Sequence, residues 1–321
     1  MSELLEVRDL KKYFVTEKHL DPARNKVLHA VDGVSLRLHE GQTLGLVGES
    51  GCGKSTLGRC ILRLHPVDSG EIIFQGSHLE GLGEKALLPY RRQLQMIFQD
   101  PYSALNPRMS VLQSVIAPLD SFDIGEKKER AERAEALLRY VGLSGGQIKK
   151  YPHELSGGQR QRVVIARSII CRPSLVVCDE PVSALDASIR AQVLNLMRAI
   201  QREQGISYLF ISHDLSVVRF LCDRVAVMYL GQIVEEADRT ELYSHPAHPY
   251  TQALLSAIPE PTVRRRRERI ILSGELPSPL DPPSGCRFCT RCRYATERCR
   301  TEAPVLRETG SGHSVACHLC E

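Results

Sequence analysis

Residues 48–56 read Gly-Glu-Ser-Gly-Cys-Gly-Lys-Ser-Thr, the pattern G-x-x-x-x-G-K-[ST]. Gly48, Gly51 and Gly53, with Ser50 between them, form a loop whose backbone N–H groups can curl around phosphate oxygens. Lys54 brings a positive charge to the outer phosphates, Ser55 offers a hydroxyl to Mg²⁺, and Thr56 continues into a helix whose N-terminus adds a partial positive charge. A second constellation lies downstream, where apolar Leu175–Cys178 ends in Asp179 and Glu180. A buried strand places Asp179 at its C-terminal edge, able to hold Mg²⁺ through water. The natural role of Glu180 is general base, polarising a water that attacks a γ-phosphorus. Taken alone, the pair also reads as a strand end capped by two solvated acids.

The flanking elements suit this chemistry. Thr43–Val47 is a short apolar strand before the glycine loop, and Leu57–Leu64 follows it as helix. Residues 1–40 alternate apolar and polar (Leu5, Val7, Leu10, then Val31, Val34, Leu36, Leu38), which predicts antiparallel strands. Glu71–Phe74, Leu94–Phe98, Leu175–Cys178, Ile206–Ile211 and Val225–Tyr229 read as further strands. Residues 126–141 and 187–204 carry apolar stripes at i, i+3, i+4 spacing and read as helices. Strands alternating with helices predict an α/β fold with a mainly parallel sheet and right-handed crossovers.

Composition narrows the class. The chain has 321 residues, with Lys plus Arg 42, Asp plus Glu 38 and a net charge of +4. That surplus is too small to argue for nucleic acid. No stretch approaches the ~18 consecutive apolar residues of a membrane span, and Met1–Phe14 lacks the apolar core of a secretion signal. A cytoplasmic chain is expected, held at any membrane by another chain. Of 11 Cys, Cys286, Cys289, Cys292, Cys299, Cys317 and Cys320 crowd the C-terminal end, and such a cluster among reduced thiols reads as a metal site before it reads as disulfides.

Leu155-Ser-Gly-Gly-Gln159, followed by Arg160-Gln-Arg162 and an apolar helix, resembles the signature of ATP-binding cassette (ABC) ATPases, and it stands between the phosphate loop and the Asp179–Glu180 strand as in that family. Other matches keep the family order. Gln99 resembles the Q-loop glutamine, Ser183–Asp186 the D-loop, His213 the switch histidine, and Phe14, with Tyr13 the alternative, the aromatic that stacks on adenine. Leu143-Ser-Gly-Gly-Gln147 repeats the five letters, but Pro152 follows it closely, so 143–147 is expected to be a loop. The resemblance covers residues 1 to about 240. It implies the ABC cassette fold (mainly parallel core sheet, antiparallel β subdomain, helical subdomain about 100–170), and ATP with Mg²⁺ as the ligands. Two cassettes would pair head to tail. Lys54, Ser55, Gln99, Asp179, Glu180 and His213 would then act on the chain's own ATP. Ser156, Gly157, Gly158 and Gln159, with Asp186, would face the partner's.

Beyond about 240 the character changes: a basic run at 264–269, a Pro-rich linker at 277–283, and a Cys-rich tail at 284–321. His245–Leu255 resembles the His-Pro-Tyr segment after the cassette in oligopeptide, dipeptide and nickel importers, and is expected to form a turn into a short helix. The basic run reads as solvated linker, or as a face for anionic lipid or an acidic partner surface. The spacing of Cys286, Cys292, Cys299 and Cys317 resembles that of peptide-importer ATPases with a [4Fe–4S] cluster; Zn²⁺ is the alternative, and Cys289 could exchange with a ligand. The tail has too few apolar residues to build its own core, so a metal would help it fold. Nothing in the sequence places it beside the phosphates, so a structural or regulatory role is expected.

The resemblance implies a second ATPase subunit, identical or homologous, two membrane permeases and an extracytoplasmic substrate-binding protein. The expected place is the cytoplasmic face of the inner membrane, held peripherally. The alternatives are a nickel or other small-solute importer ATPase, and a soluble ABC ATPase outside transport. A small-molecule P-loop kinase leaves Leu155–Gln159 and His213 unexplained.

Overall fold

A computed structural model describes residues 2–17, 26–258, 269–272, 274–275, 277–310 and 312–320. In chain order its strands are β1 (Glu3–Glu17), β2 (Lys26–His39), β3 (Thr43–Val47), β4 (Ser69–Phe74), β5 (Ser77–His78), β6 (Leu94–Ile97), β7 (Leu175–Asp179), β8 (Ser207–Ser212), β9 (Arg224–Tyr229), β10 (Gln232–Asp238), β11 (Arg307–Gly310) and β12 (His313–Val315). The helices are α1 (Lys54–Ile61), α2 (Glu84–Gln93), α3 (Pro101–Ala104), α4 (Val111–Ser121), α5 (Lys127–Tyr140), α6 (Gly145–Ile148), α7 (Gly157–Ile169), α8 (Ala187–Gln204), α9 (Leu215–Leu221), α10 (Arg239–Ser244), α11 (Pro249–Ser256) and α12 (Glu297–Thr301). Of the basic run, 264–268 lie outside the described residues.

Two units make up the chain. The phosphate-loop unit comprises Glu3–Leu38, Thr43–Gly81 and Ile211–Glu321; the signature unit comprises Met1–Ser2, His39–Gln42 and Leu82–Phe210. These cut the chain differently from the expected segments 1–240, 241–283 and 284–321, because the tail shares its unit with the first strands.

In the phosphate-loop unit, the alternating N-terminal segments become a sheet of order β2-β1-β4-β5. β1 runs antiparallel to β4, with Leu5 opposite Phe74 and Val7 opposite Ile72. A second sheet runs β11-β12-β10-β9-β3. β3 lies parallel to β9, with Val47 opposite Val227, and every residue of β3 is buried, as its unbroken apolar run requires. From β9 outward the pairing turns antiparallel through β10 and β12 to β11.

In the signature unit, β6 pairs parallel with β7, setting Ile97 opposite Cys178. Helices α3 to α7 occupy most of the expected helical subdomain. Around α7, whose Val163, Val164, Ile165, Ala166 and Ile169 are buried, pack α4 and α5 with Val111, Val115, Leu119, Ala134 and Leu138. Each of these larger aliphatic side chains contributes roughly 1.5–3 kcal/mol on burial.

Candidate functional site

The phosphate loop is shaped by what glycine permits. Gly53 stands at φ 106° immediately before α1, and a Cβ there would lie 1.9 Å from the Ala30 carbonyl oxygen. No side chain fits, so the loop turns tightly and delivers Lys54 to the first helical position. Lys54 is 5% exposed, and its Nζ donates to the carbonyls of Gly48 and Glu49, both at 2.8 Å. The buried ammonium thus rests on its own loop. Phe14 is half-buried, with Lys12 Nζ 5.2 Å from its ring centroid and His65 edge-on at 5.8 Å. The Tyr13 hydroxyl donates to Asp32 Oδ1 at 2.5 Å, so Phe14, not Tyr13, keeps a ring without a hydrogen-bonding tether. His213 is exposed at the end of β8, where Asp214 caps α9 by accepting from Ser216 and Val217 N–H.

In the signature unit, Asp179 ends β7 with 1% exposure, and Glu180 follows at φ 45°. That left-handed conformation costs a non-glycine residue about 1–2 kcal/mol and turns the chain sharply after the buried strand. Gln99 Nε2 donates to Glu180 Oε2 at 3.1 Å, so the Q-loop and the expected base meet directly. Asp186 caps α8 by accepting from Ile189 N–H at 3.0 Å.

The signature is a capping box. Ser156 N–H donates to Gln159 Oε1 at 3.0 Å, and Gln159 N–H donates to Ser156 Oγ at 3.4 Å. Ser156 and Gly157 are exposed at the N-terminus of α7, whereas Gly158 is buried, and a Cβ on it would meet Ile189 Cγ2 at 2.4 Å. Arg160 locks the start of the helix, its Nε donating to the Pro152 carbonyl at 2.7 Å and its guanidinium lying 3.9 Å from the Tyr102 ring centroid.

Two expectations are corrected here. Residues 143–147 are not a loop throughout: Ser144 starts α6, its N–H donating to Gln147 Oε1 at 2.8 Å. The same four letters build a similar cap, and the chain leaves the helix after one turn. The tail, in turn, does reach the phosphate loop. Arg291 Nη1 and Nη2 donate to Glu49 Oε2 and Oε1 at 2.7 and 3.2 Å, a bidentate pair across 242 residues of sequence. The His-Pro-Tyr segment meets the same residue, for Glu49 N–H donates to the Tyr250 hydroxyl at 2.8 Å. No local pattern signals either contact, so Glu49, Tyr250 and Arg291 escape a reading of sequence.

A buried carboxylate organises that segment. Glu235, fully buried on β10, accepts from Ala247 and His248 N–H at 2.7 and 2.9 Å and is 2.8 Å from His313 Nε2. His248 Nδ1 accepts from Tyr250 N–H at 3.1 Å, and burial lowers its pKa to about 3, so the ring is neutral. Pro249 then opens α11, as expected of the turn into a short helix.

Among the described residues no group of three or more His, Cys, Asp or Glu side chains is placed to hold a metal ion. Cys286, Cys292, Cys299 and Cys317 are free thiols. Burial first, with neighbouring cysteines adding, pushes Cys286 up to about 12 and Cys317 up to about 11, so both are neutral. Packing orders this segment: Phe288, 2% exposed, lies with its ring centroid 5.3 Å from that of Tyr229 and 5.4 Å from that of Tyr250. Taken one by one, Ser55, Gln99 and Asp179 each carry a hard oxygen of the kind Mg²⁺ takes.

Known proteins share this arrangement. The ABC transporter family profile matches residues 31–183, and that of the oligopeptide/dipeptide transporter C-terminal region matches 234–299. The oligopeptide transport ATP-binding protein AppF of Bacillus subtilis is 50% identical over 319 residues, covering 98% of this chain and 97% of AppF. The probable peptide ABC transporter ATP-binding protein y4tS of Sinorhizobium fredii is 48% identical, covering 98% of this chain and 90% of its own. The dimeric post-hydrolysis structure of the ATP-binding cassette MJ0796, bound to ADP and Pi, superposes with a TM-score of 0.66 at 27% identity over 74% of this chain and 99% of the cassette. An intact phosphate loop, a signature helix and a buried Asp-Glu strand end, with likeness along nearly the whole length, establish that the chain belongs to the ABC ATPases, in the branch of ABC transporter ATP-binding proteins with the oligopeptide/dipeptide transporter C-terminal region.

Proposed function

We propose that this chain hydrolyses ATP to power import of di- or oligopeptides across the cytoplasmic membrane, as an ATP-binding subunit of an ABC transporter. The observation that carries the reading is likeness along cassette and C-terminal region together to oligopeptide transport ATP-binding proteins. No described helix is long and apolar enough to cross a membrane, so translocation falls to partners: two permease subunits, fed by an extracytoplasmic substrate-binding protein. The chain sits peripherally on the cytoplasmic membrane face.

In this reading the loop 48–56 wraps the phosphates, and Lys54 leaves the Gly48 and Glu49 carbonyls for the phosphate oxygens. Phe14 stacks on adenine. Ser55, Gln99 and Asp179 would hold Mg²⁺, which would supply charge neutralisation at the outer phosphates. Glu180 accepts the proton of the attacking water, and His213 steadies that water against the γ-phosphate. Gln99 restrains Glu180 until nucleotide draws it away. A second cassette, identical or homologous, offers its signature while Ser156, Gly157, Gly158 and Gln159 of this chain, flanked by Asp186, face its ATP. No step uses Cys286, Cys292, Cys299 or Cys317.

Glu180→Gln tests the base. ATP binding is expected to persist while turnover of the assembled transporter falls by about three orders of magnitude; near-normal turnover would remove Glu180 from the role. Sedimentation with membranes only when both permeases are co-expressed tests the assembly.

A further inference from the structure

Two arginines of one short tail segment grip two carboxylates of their unit, one on the phosphate loop and one on β2. Arg291 pairs bidentately with Glu49, the second residue of the phosphate loop, at 2.7 and 3.2 Å; the two side chains are 9% and 29% exposed. Four residues earlier, Arg287 pairs with Asp32, which also accepts the hydroxyl of Tyr13, the neighbour of Phe14 on β1. The segment between them is anchored by Phe288 against Tyr229 and Tyr250. Tyr250 in turn accepts the backbone N–H of Glu49. The loop residue Glu49 is therefore held twice, through its side chain and through its backbone, by two different parts of the C-terminal region.

The charge arithmetic gives this meaning. A nucleotide loop that must receive a triphosphate carries a carboxylate one residue after its first glycine, and an unpaired carboxylate there repels the ligand. We propose that Arg291 is a positioning residue that acts on ATP through Glu49, neutralising the carboxylate that would repel the phosphates while Tyr250 fixes the loop backbone, so that the folded state of the tail sets the affinity of the cassette for nucleotide. The inference rests on residues 48–56 being the ATP loop.

The test measures equilibrium binding of ATP and ADP to the full chain. Arg291→Ala is expected to weaken ATP about 5- to 10-fold and ADP less, because the diphosphate carries less charge. Glu49→Gln moves the other way and tightens ATP by about 2- to 5-fold, since it removes the repelling charge and keeps the cation. The double variant Glu49→Gln/Arg291→Ala returns to within about twofold of the parent. Opposite signs and rescue are the signature of this role; a pair that merely braced the fold would weaken binding in both single variants and would not be rescued. Unchanged ATP affinity in Arg291→Ala, or a double variant as weak as that single one, overturns the proposal. If Arg291→Ala does not fold, Glu49→Gln alone decides, and weaker ATP binding there overturns it. Lys54→Ala tests the underlying reading separately: retained ATP binding would show that 48–56 is not the nucleotide loop, whatever Arg291 does.

Discussion

The letters Leu-Ser-Gly-Gly-Gln occur twice in this chain, at 143–147 and at 155–159, and lead to different structures. Both serines start a helix, and both glutamines reach back to the serine N–H, at 2.8 and 3.0 Å. The first helix lasts four residues, the second thirteen. Capping chemistry is local and follows the five letters; helix length is set by the residues beyond them. After Gln147 come two lysines, a tyrosine and Pro152, whereas Gln159 runs into the buried stripe of α7. Only the second helix has the length to sum peptide dipoles behind an exposed serine.

Three paired substitutions sharpen or break that contrast. The largest effect is expected from Ser156→Arg, which places a bulky cation at the exposed start of α7 and should abolish ATP hydrolysis if that helix start faces a second cassette's ATP, as proposed. Ser144→Arg leaves the rate within about twofold. Equal losses would mean that the two copies share the task. Next comes Gly158→Ala, where the new methyl meets Ile189 Cγ2 at 2.4 Å; urea unfolding should show a loss of about 1–3 kcal/mol. At the matching Gly146 no atom lies within 4 Å, so Ala there should be neutral or stabilising by up to about 1 kcal/mol. The smallest effect is shared: Gln147→Ala and Gln159→Ala each remove one capping bond and should each cost about 0.5–1 kcal/mol. A much larger cost at either site would show that its cap is more than local.

How far the sequence reveals the fold depends on the range of the interaction. β3 and α8 have the bounds their residues predict, because one is an unbroken apolar run and the other an amphipathic stripe between an Asp cap and Gly205. The existence of strands β1 and β2 and the short helix after His248 follow from local pattern too. Helices α2 and α4 escape such a reading, since each carries an internal proline, Pro89 and Pro118. The tail has too few apolar residues to build a core alone, yet Phe288, Val315 and Ala316 are buried in a unit that also takes in Glu3–Leu38 and Thr43–Gly81. In the site, types and order reveal Lys54, Asp179, Glu180 and the signature, whereas the grip of Arg291 on Glu49 depends on tertiary structure alone. That pairing turns on two side chains 242 residues apart, a distance no local motif spans.

The outermost strands of the tail carry a consequence for handling the protein. β12 pairs with β10, setting Val315 opposite Glu235 and Ser314 opposite Glu236, and β11 lies outside it with all four residues exposed, Arg307 and Glu308 among them. A short, charged, fully solvated rim is how natural sheets discourage stray chains from adding on. A chain cut short of Arg307 would strip that rim away and leave the main-chain groups of β10 open, so truncation for convenience of expression invites precipitation as well as a change in chemistry.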